Sequence, residues 1–220
     1  ISAESGLPTF RASDGLWAGY RIEDVCTPEA LLNNPADVWA FYSARRASAF
    51  AAQPNVGHLA LAELERKLGD RFFLCTQKVD DLHERAGSQR LVHMHGELAK
   101  SRCSQQCGAP PVADRTVYKS LGEVGRCVCG ARLRPHIVFF GEIPLEMPRL
   151  QREIERTNIL LVIGTSGTVY PAAGFAQQAR FAGARTVYIG PEPPLNASVF
   201  TQMVTGNAAE ALPELFKIQC

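Results

Sequence analysis

The chain of 220 residues carries almost no net charge, with 23 basic residues against 22 acidic ones for a formal +1. That balance removes any argument for nucleic acid or an anionic bilayer from total charge alone. No apolar run approaches the ~20 residues needed to span a bilayer. The longest, around Ile159–Ile163 and Ile137–Phe140, are strand-sized. The N-terminus lacks the basic segment and apolar stretch of an export signal, so a cytoplasmic protein without membrane contact is expected. It also lacks an initiator Met, and a start at Ile1, inside a polar loop, suggests a clipped chain. Internal repeats and low-complexity tracts are missing. So is G-x-G-x-x-G, which excludes the ordinary dehydrogenase fingerprint.

Seven cysteines are present, an odd number without an export signal, which argues against a disulfide scaffold. Cys26, Cys75 and Cys220 are scattered and read as inert. Cys103, Cys107, Cys127 and Cys129 cluster, the two pairs separated by 19 residues. Two close thiol pairs bridged by a loop supply the edges of a tetrahedral zinc site, and four thiolates leave no open position for catalysis. The surrounding segment, 99–133, is rich in Cys, Gly, Pro and Arg and too poor in apolar periodicity to build its own core, so it needs a staple. A nucleic-acid-binding zinc ribbon is the competing reading, from Arg102, Arg115, Lys119, Arg126, Arg132 and Arg134. No aromatic row accompanies them beyond Tyr118, and no nucleic-acid partner is expected.

Elsewhere the pattern is regular. Helical spacing runs from Pro28 to Gln53, broken at Asn34-Pro35. Asn55 is placed to cap a helix carrying Leu61, Leu64 and Leu68 and ending near Gly69. Arg71–Thr76 and Ile137–Phe140 read as strands, Pro148–Arg156 as a helix, Ile159–Ile163 as a buried strand, Pro171–Ala182 as a helix and Thr186–Ile189 as a strand. Strand, helix, strand with buried runs predicts a parallel sheet covered on both faces, an α/β fold. Three strand ends carry polar loops: Thr76–Gly87, Gly164-Thr165-Ser166-Gly167-Thr168, and Gly190-Pro191-Glu192. Ligands of open parallel sheets bind outside the carboxyl ends of the strands, and Gly-Thr-Ser-Gly before a helix suits a phosphate. In His93-Met94-His95-Gly96, two histidines two apart on an extended segment point to opposite sides, so only one serves as a base. His58 and His136 read as structural.

Together these motifs resemble the sirtuin family of NAD-dependent protein-lysine deacylases. Ile1-Ser2-Ala3-Glu4-Ser5-Gly6 with Pro8-Thr9-Phe10-Arg11 is similar to the end of the family's Gly-Ala-Gly NAD loop. Thr76-Gln77 and Asp80 resemble its Thr-Gln-Asn-x-Asp motif, His95-Gly96 its catalytic His-Gly, Phe140-Gly141-Glu142 its substrate-binding strand, and Gly164-Thr165-Ser166 its second NAD loop. The four cysteines match its zinc module. The resemblance implies a Rossmann-like large lobe (1–16, 54–96 and 137–220) and a smaller lobe with a helical module (17–53) and a zinc module (97–136). It implies His95 as general base and NAD contacts by Ala3, Glu4, Phe10, Arg11, Gln77, Lys78, Asp80, Gly164, Thr165, Ser166 and Gly190. Acyl-lysine contacts would come from Tyr42, Arg45, Val138, Phe140, Gly141, Glu142, Val169 and Tyr170.

Tyr42-Ser43-Ala44-Arg45 resembles the Tyr-x-x-Arg of the branch that removes succinyl, malonyl and glutaryl groups. On a helix, positions i and i+3 share a face, where a phenol and a guanidinium could hold a carboxylate. The expected partners are acylated protein lysines, with NAD as co-substrate, one structural zinc, and a monomer. Two departures stand out: the family's Gly-Ala-Gly and the strand before it are absent from a sequence that starts at Ile1, and Lys78 stands where the family has Asn. They leave a catalytically impaired NAD- or acyl-lysine-binding module, or ADP-ribosyl transfer, as alternatives.

Overall fold

The computed structural model describes residues 1–8, 10–11, 16–17 and 19–217, and only the backbone of residues 10, 11, 16 and 17. Thr9 and Cys220, both named above, lie outside the described residues. The α/β expectation holds. Ile159–Ile163, Arg185–Gly190 and Gln202–Thr205 form a parallel sheet with Arg185–Gly190 in the middle. Leu74–Thr76 and Leu91–His93 form a second parallel pair. The β-branched and Leu-rich run at 159–163 forms the expected strand, but it is not the buried one expected: Ile159 is exposed and the other four residues are half-buried. Helices Val56–Leu68 and Ala208–Phe216 bury Ala60, Leu61, Ala211 and Leu212 against Val187 and Ile189. Leu74 of one sheet and Leu161 and Ile163 of the other pack into that same cluster, so the two sheets share a core. On the other side, Ile154 of helix Met147–Arg156 and Ala179 of helix Phe175–Phe181 cluster with Ala184, packed by Leu160.

Local chemistry sets the element ends. Thr27 accepts the Ala30 N–H at 3.1 Å and starts helix Pro28–Asn33, and Pro35 starts helix Pro35–Ala51 at the expected break. Asn55 caps Val56–Leu68 as expected, in a reciprocal box in which its own N–H donates to His58 Nδ1.

Three expectations are corrected. The strand expected over Ile137–Phe140 is Leu133–Ile137, and it runs antiparallel to Gly96–Cys103 rather than within the parallel sheet. It stops there because the Phe139 N–H donates to the Glu142 carboxylate (2.7 Å) and the Phe140 N–H to the Cys26 carbonyl (2.9 Å). The strand expected from Arg71 begins at Leu74, since Gly69–Arg71 winds into a 3-10 turn. The helix expected over Pro171–Ala182 is a 3-10 turn, Ala172–Gly174, followed by Phe175–Phe181. Strand Gln202–Thr205 and helix Ala208–Phe216 were not expected.

The helical and zinc modules are joined by Arg46, which is 0% exposed. Its five N–H donors find the Leu98, Lys100 and Thr116 carbonyls, Ser101 Oγ and Asp114 Oδ2, at 2.8–3.1 Å. A guanidinium buried this way is stable only because every donor and its charge are matched.

Candidate active site and metal centre

His93 ends strand Leu91–His93, and His95 lies two residues on, in the turn before strand Gly96–Cys103. The tight turn depends on Gly96, whose φ is +87° and where a Cβ would collide with the His136 carbonyl. His93 is buried. Its Nδ1 lies 2.9 Å from the Lys78 carbonyl and its Nε2 2.7 Å from Glu84 Oε1. Both partners are acceptors, an arrangement that favours the imidazolium, in which both ring nitrogens donate. Burial opposes that charge, but the Glu84 carboxylate and the Lys78 carbonyl outweigh it and raise the pKa. His93 therefore has no lone pair to offer.

His95 differs. Its Nδ1 meets the Gln77 carbonyl at 3.3 Å, which leaves the proton on Nδ1 and the lone pair on Nε2. Burial lowers its pKa, the Gln77 carbonyl opposes this, and the Lys78 charge lowers it further. The two rings thus differ: His95 keeps Nε2 without a tie to the protein's acceptors, whereas both nitrogens of His93 are engaged.

The other polar groups gather at the carboxyl ends of the parallel strands. Asp80 is buried beside Ser2. Burial raises its pKa, against the Ser2 hydroxyl, the Leu82 N–H and the Lys78 charge. Lys78 is half-buried, and burial lowers its pKa against the pull of Asp80. Its charge also acts on His58, His83 and His95. Asn55 Nδ2 donates to the Ile1 carbonyl and to Ser5 Oγ, both at 3.0 Å, docking the N-terminal turn Ser2–Ser5 on this group. Ala3 is exposed there. Glu4, expected at the cofactor, has both carboxylate oxygens on the Ala208 and Ala209 N–H groups at the start of helix Ala208–Phe216. Phe10 and Arg11 are described as backbone only, in a short strand, so their side-chain roles lie outside the described residues.

Gly164 (φ +60°) and Thr165 leave the end of Ile159–Ile163, and exposed Ser166 bonds Thr168 at 2.7 Å. Gly190 ends the neighbouring strand, where a side chain would collide with the Tyr188 hydroxyl. That hydroxyl, 3.1 Å from the Thr165 carbonyl and 2.9 Å from the Glu192 carbonyl, ties the two loops together by sharing its one proton between them.

The expected acyl-lysine residues fall into two groups. Val138 N–H donates to the His95 carbonyl at 2.9 Å, which sets the segment 138–140 beside His95. Phe140 and Gly141 are exposed. Glu142, expected to touch substrate, is engaged by Arg102 (2.9 Å), by Arg134 (2.6 and 3.0 Å) and by the Phe139 N–H. Burial would raise its pKa, but these partners hold the carboxyl below the usual range. Tyr42 is fully buried, stacked on Phe139 with its hydroxyl 3.1 Å from Cys26 Sγ. Arg45 sits over the Phe41 ring at 5.1 Å. Its Nε and Nη1 are buried with no hydrogen-bond partner among the described residues. Val169 is half-buried, and Tyr170 is exposed ahead of a cis proline.

The four cysteine sulfurs lie within 4.8 Å of one another, with Cys103–Cys129 and Cys107–Cys127 at 3.5 Å. Zinc–thiolate bonds of ~2.3 Å place tetrahedral sulfurs about 3.8 Å apart, so the set fits a structural zinc. Sequence reasoning missed Arg46, Arg134 and Glu84 as determinants of this site. An isolated Arg or Glu carries no local signal until the fold supplies its partners.

Comparison with known proteins agrees with this geometry. The Sir2 family profile matches residues 1–171. A Pasteurella multocida protein named NAD-dependent protein deacylase is 48% identical over 221 residues, covering 97% of this chain and 91% of its own length. The protein of that name from Escherichia coli (strain K12) is 49% identical over 222 residues, covering 97% and 77%. Among solved structures, a Sir2 homologue in complex with NAD superimposes with a TM-score of 0.89 at 40% identity, over 99% of this chain and 84% of that one. A Sir2 protein with a deacetylated p53 peptide and 3'-O-acetyl-ADP-ribose gives 0.85 at 27%, over 99% and 89%. Identity near one half along almost the whole chain, on the same fold, places this protein in the Sir2 family.

Proposed function

We propose that this protein is an NAD-dependent protein-lysine deacylase that prefers acyl groups ending in a carboxylate, such as succinyl and malonyl. The split between His93 and His95 supports the reaction, because both nitrogens of one ring are held by acceptors while the other offers Nε2 at the strand ends. The residues present suit NAD: positive-φ Gly164 opens backbone to a ligand, and buried Asp80 and Ser2 offer a polar floor. Bound NAD supplies an ADP-ribosyl group that accepts the acyl oxygen as nicotinamide leaves. His95 takes the proton of a ribose hydroxyl at Nε2, and the backbone of 138–140 holds the substrate chain beside it. One water then cleaves the bond between the acyl carbon and the lysine nitrogen, supplying the second oxygen of the ester, so the products are free lysine, nicotinamide and O-acyl-ADP-ribose.

Arg45 is the observation that carries the acyl preference. A half-buried guanidinium with two nitrogens that find no partner among the described residues, one turn from Tyr42, calls for an anion, since burying an unpaired charge is costly. Half-buried Lys78, whose charge reaches His95, adds that turnover is slow, because an ammonium opposes a cationic nicotinamide and the positive charge developing at the ribose. Incubation with succinylated peptide, with and without NAD, tests the proposal. NAD-dependent release of nicotinamide and unmodified lysine is expected. Loss of the succinyl group without NAD, or ADP-ribosylated peptide in its place, would overturn it.

A further inference from the structure

The Tyr42 hydroxyl does not stand alone: it lies 3.1 Å from Cys26 Sγ and donates to it. Cys26 is itself 2% exposed and fixed on both sides. Its N–H closes the short helix Ile22–Val25 on the Ile22 carbonyl at 2.8 Å, and its carbonyl accepts the Phe140 N–H at 2.9 Å. The thiol is thus built into the joint between the acyl-side helix Pro35–Ala51 and the segment beside His95. Burial raises the thiol pKa, so the sulfur faces the phenol as a neutral S–H group.

We infer that Cys26 is a specificity-determining positioning residue, whose sulfur holds the Tyr42 phenol proton weakly enough to release it to an incoming acyl carboxylate. This inference rests on the carboxylate-clamp reading of Tyr42 and Arg45 given above. A phenol has one proton to donate. In the free protein that proton faces sulfur, a weak acceptor. A carboxylate is a much stronger acceptor, and a charge-assisted bond displaces the S···H–O contact at little cost. Once the phenol has turned, the S–H can donate back to the phenol oxygen, so no buried polar atom is orphaned in either state. A hydroxyl at this position would act differently, because oxygen accepts the phenol proton strongly and competes with the carboxylate. A methyl group would not compete at all.

The test is the ratio of KM for succinyl-lysine peptide to KM for acetyl-lysine peptide in Cys26→Ser, Cys26→Ala and the Tyr42→Phe background. Cys26→Ser should raise that ratio about five-fold or more, the size of one neutral hydrogen bond. Cys26→Ala should not raise it, although it leaves the larger cavity. In Tyr42→Phe, Cys26→Ser should have no further effect on the ratio. A purely packing role for Cys26 predicts the opposite order, with Ala worse than Ser and both substrates affected alike, and that result would overturn the inference. So would an effect of Cys26→Ser that persists without the phenol hydroxyl. If Tyr42→Phe and Arg45→Met leave the ratio unmoved, the clamp fails and this inference falls with it. If those two move the ratio and Cys26→Ser does not, only the role of Cys26 is refuted.

Discussion

At His95 one ring nitrogen is tied to a backbone carbonyl and the other is open, whereas at His93 both are tied to acceptors. The two substitutions should therefore fail differently. His95→Ala should lower kcat/KM by about 10²- to 10⁴-fold, the usual worth of a general base, with thermal stability near that of the parent. His93→Ala leaves Glu84 and the Lys78 carbonyl without their donor, so its main effect should be a lower Tm. Equal catalytic loss at normal stability in both variants would contradict the assignment. Lys78 gives a second test at this scale. Burial is the main cause of the low His95 pKa, and Lys78 adds to it. A base must be neutral, so the acid limb of the kcat/KM profile should lie below the ordinary histidine value of about 6.5. Lys78→Asn removes a cation, so the limb should move to higher pH while kcat rises. An unmoved limb would show that Lys78 does not act on His95.

Between elements, two histidines are stored neutral. His58, on helix Val56–Leu68, and His83, on helix Leu82–Arg85, face each other with ring centroids 4.8 Å apart. Burial, then neighbouring positive charge, pushes their pKa values down to about 4 and about 3. His58 also serves its helix cap as an acceptor at Nδ1, which a proton would abolish. Their folded pKa values lie below the unfolded value of about 6.5. The unfolded chain therefore takes up protons first as pH falls, and stability present above 6.5 is lost progressively below it. Each contributes about 1.4 kcal/mol per pH unit, so the pair should cost on the order of 4 kcal/mol between pH 6.5 and pH 5. Urea melts across that range would show a falling midpoint, and a flat midpoint would contradict it. In the small lobe, zinc and Arg46 act together. Metal analysis should find one zinc per chain, and chelation should open the segment from Cys103 to Cys129 to proteolysis, because metal binding there is folding energy. Arg46→Ala leaves Asp114 buried without its cation and should cost about 3–5 kcal/mol, read as a lower Tm.

Across the whole molecule, what the sequence revealed followed its periodic and motif-bearing parts. The apolar run 159–163, the Asn34-Pro35 break and the Asn55 cap act through neighbours in sequence, so each was legible. The four cysteines were legible because metal ligands come in close pairs. The end of strand Leu133–Ile137 was not, since it is decided by Glu142 and Cys26 from other segments. Nor could the sequence separate Arg45 from Arg46: adjacent guanidiniums, one with five partners and the other with two nitrogens that find none among the described residues, differ only in the fold around them. That contrast underlies the central claim, a deacylase selective for acidic acyl groups, and one comparison tests it most directly. NAD-dependent kcat/KM would be measured for succinyl- and acetyl-lysine peptides of one sequence, in the parent protein and in Arg45→Met. The account expects the parent to favour succinyl-lysine, and Arg45→Met to lose about ten- to hundred-fold on succinyl-lysine through KM, with a far smaller change on acetyl-lysine. Parallel changes on the two substrates, or a parent that favours acetyl-lysine, would contradict it.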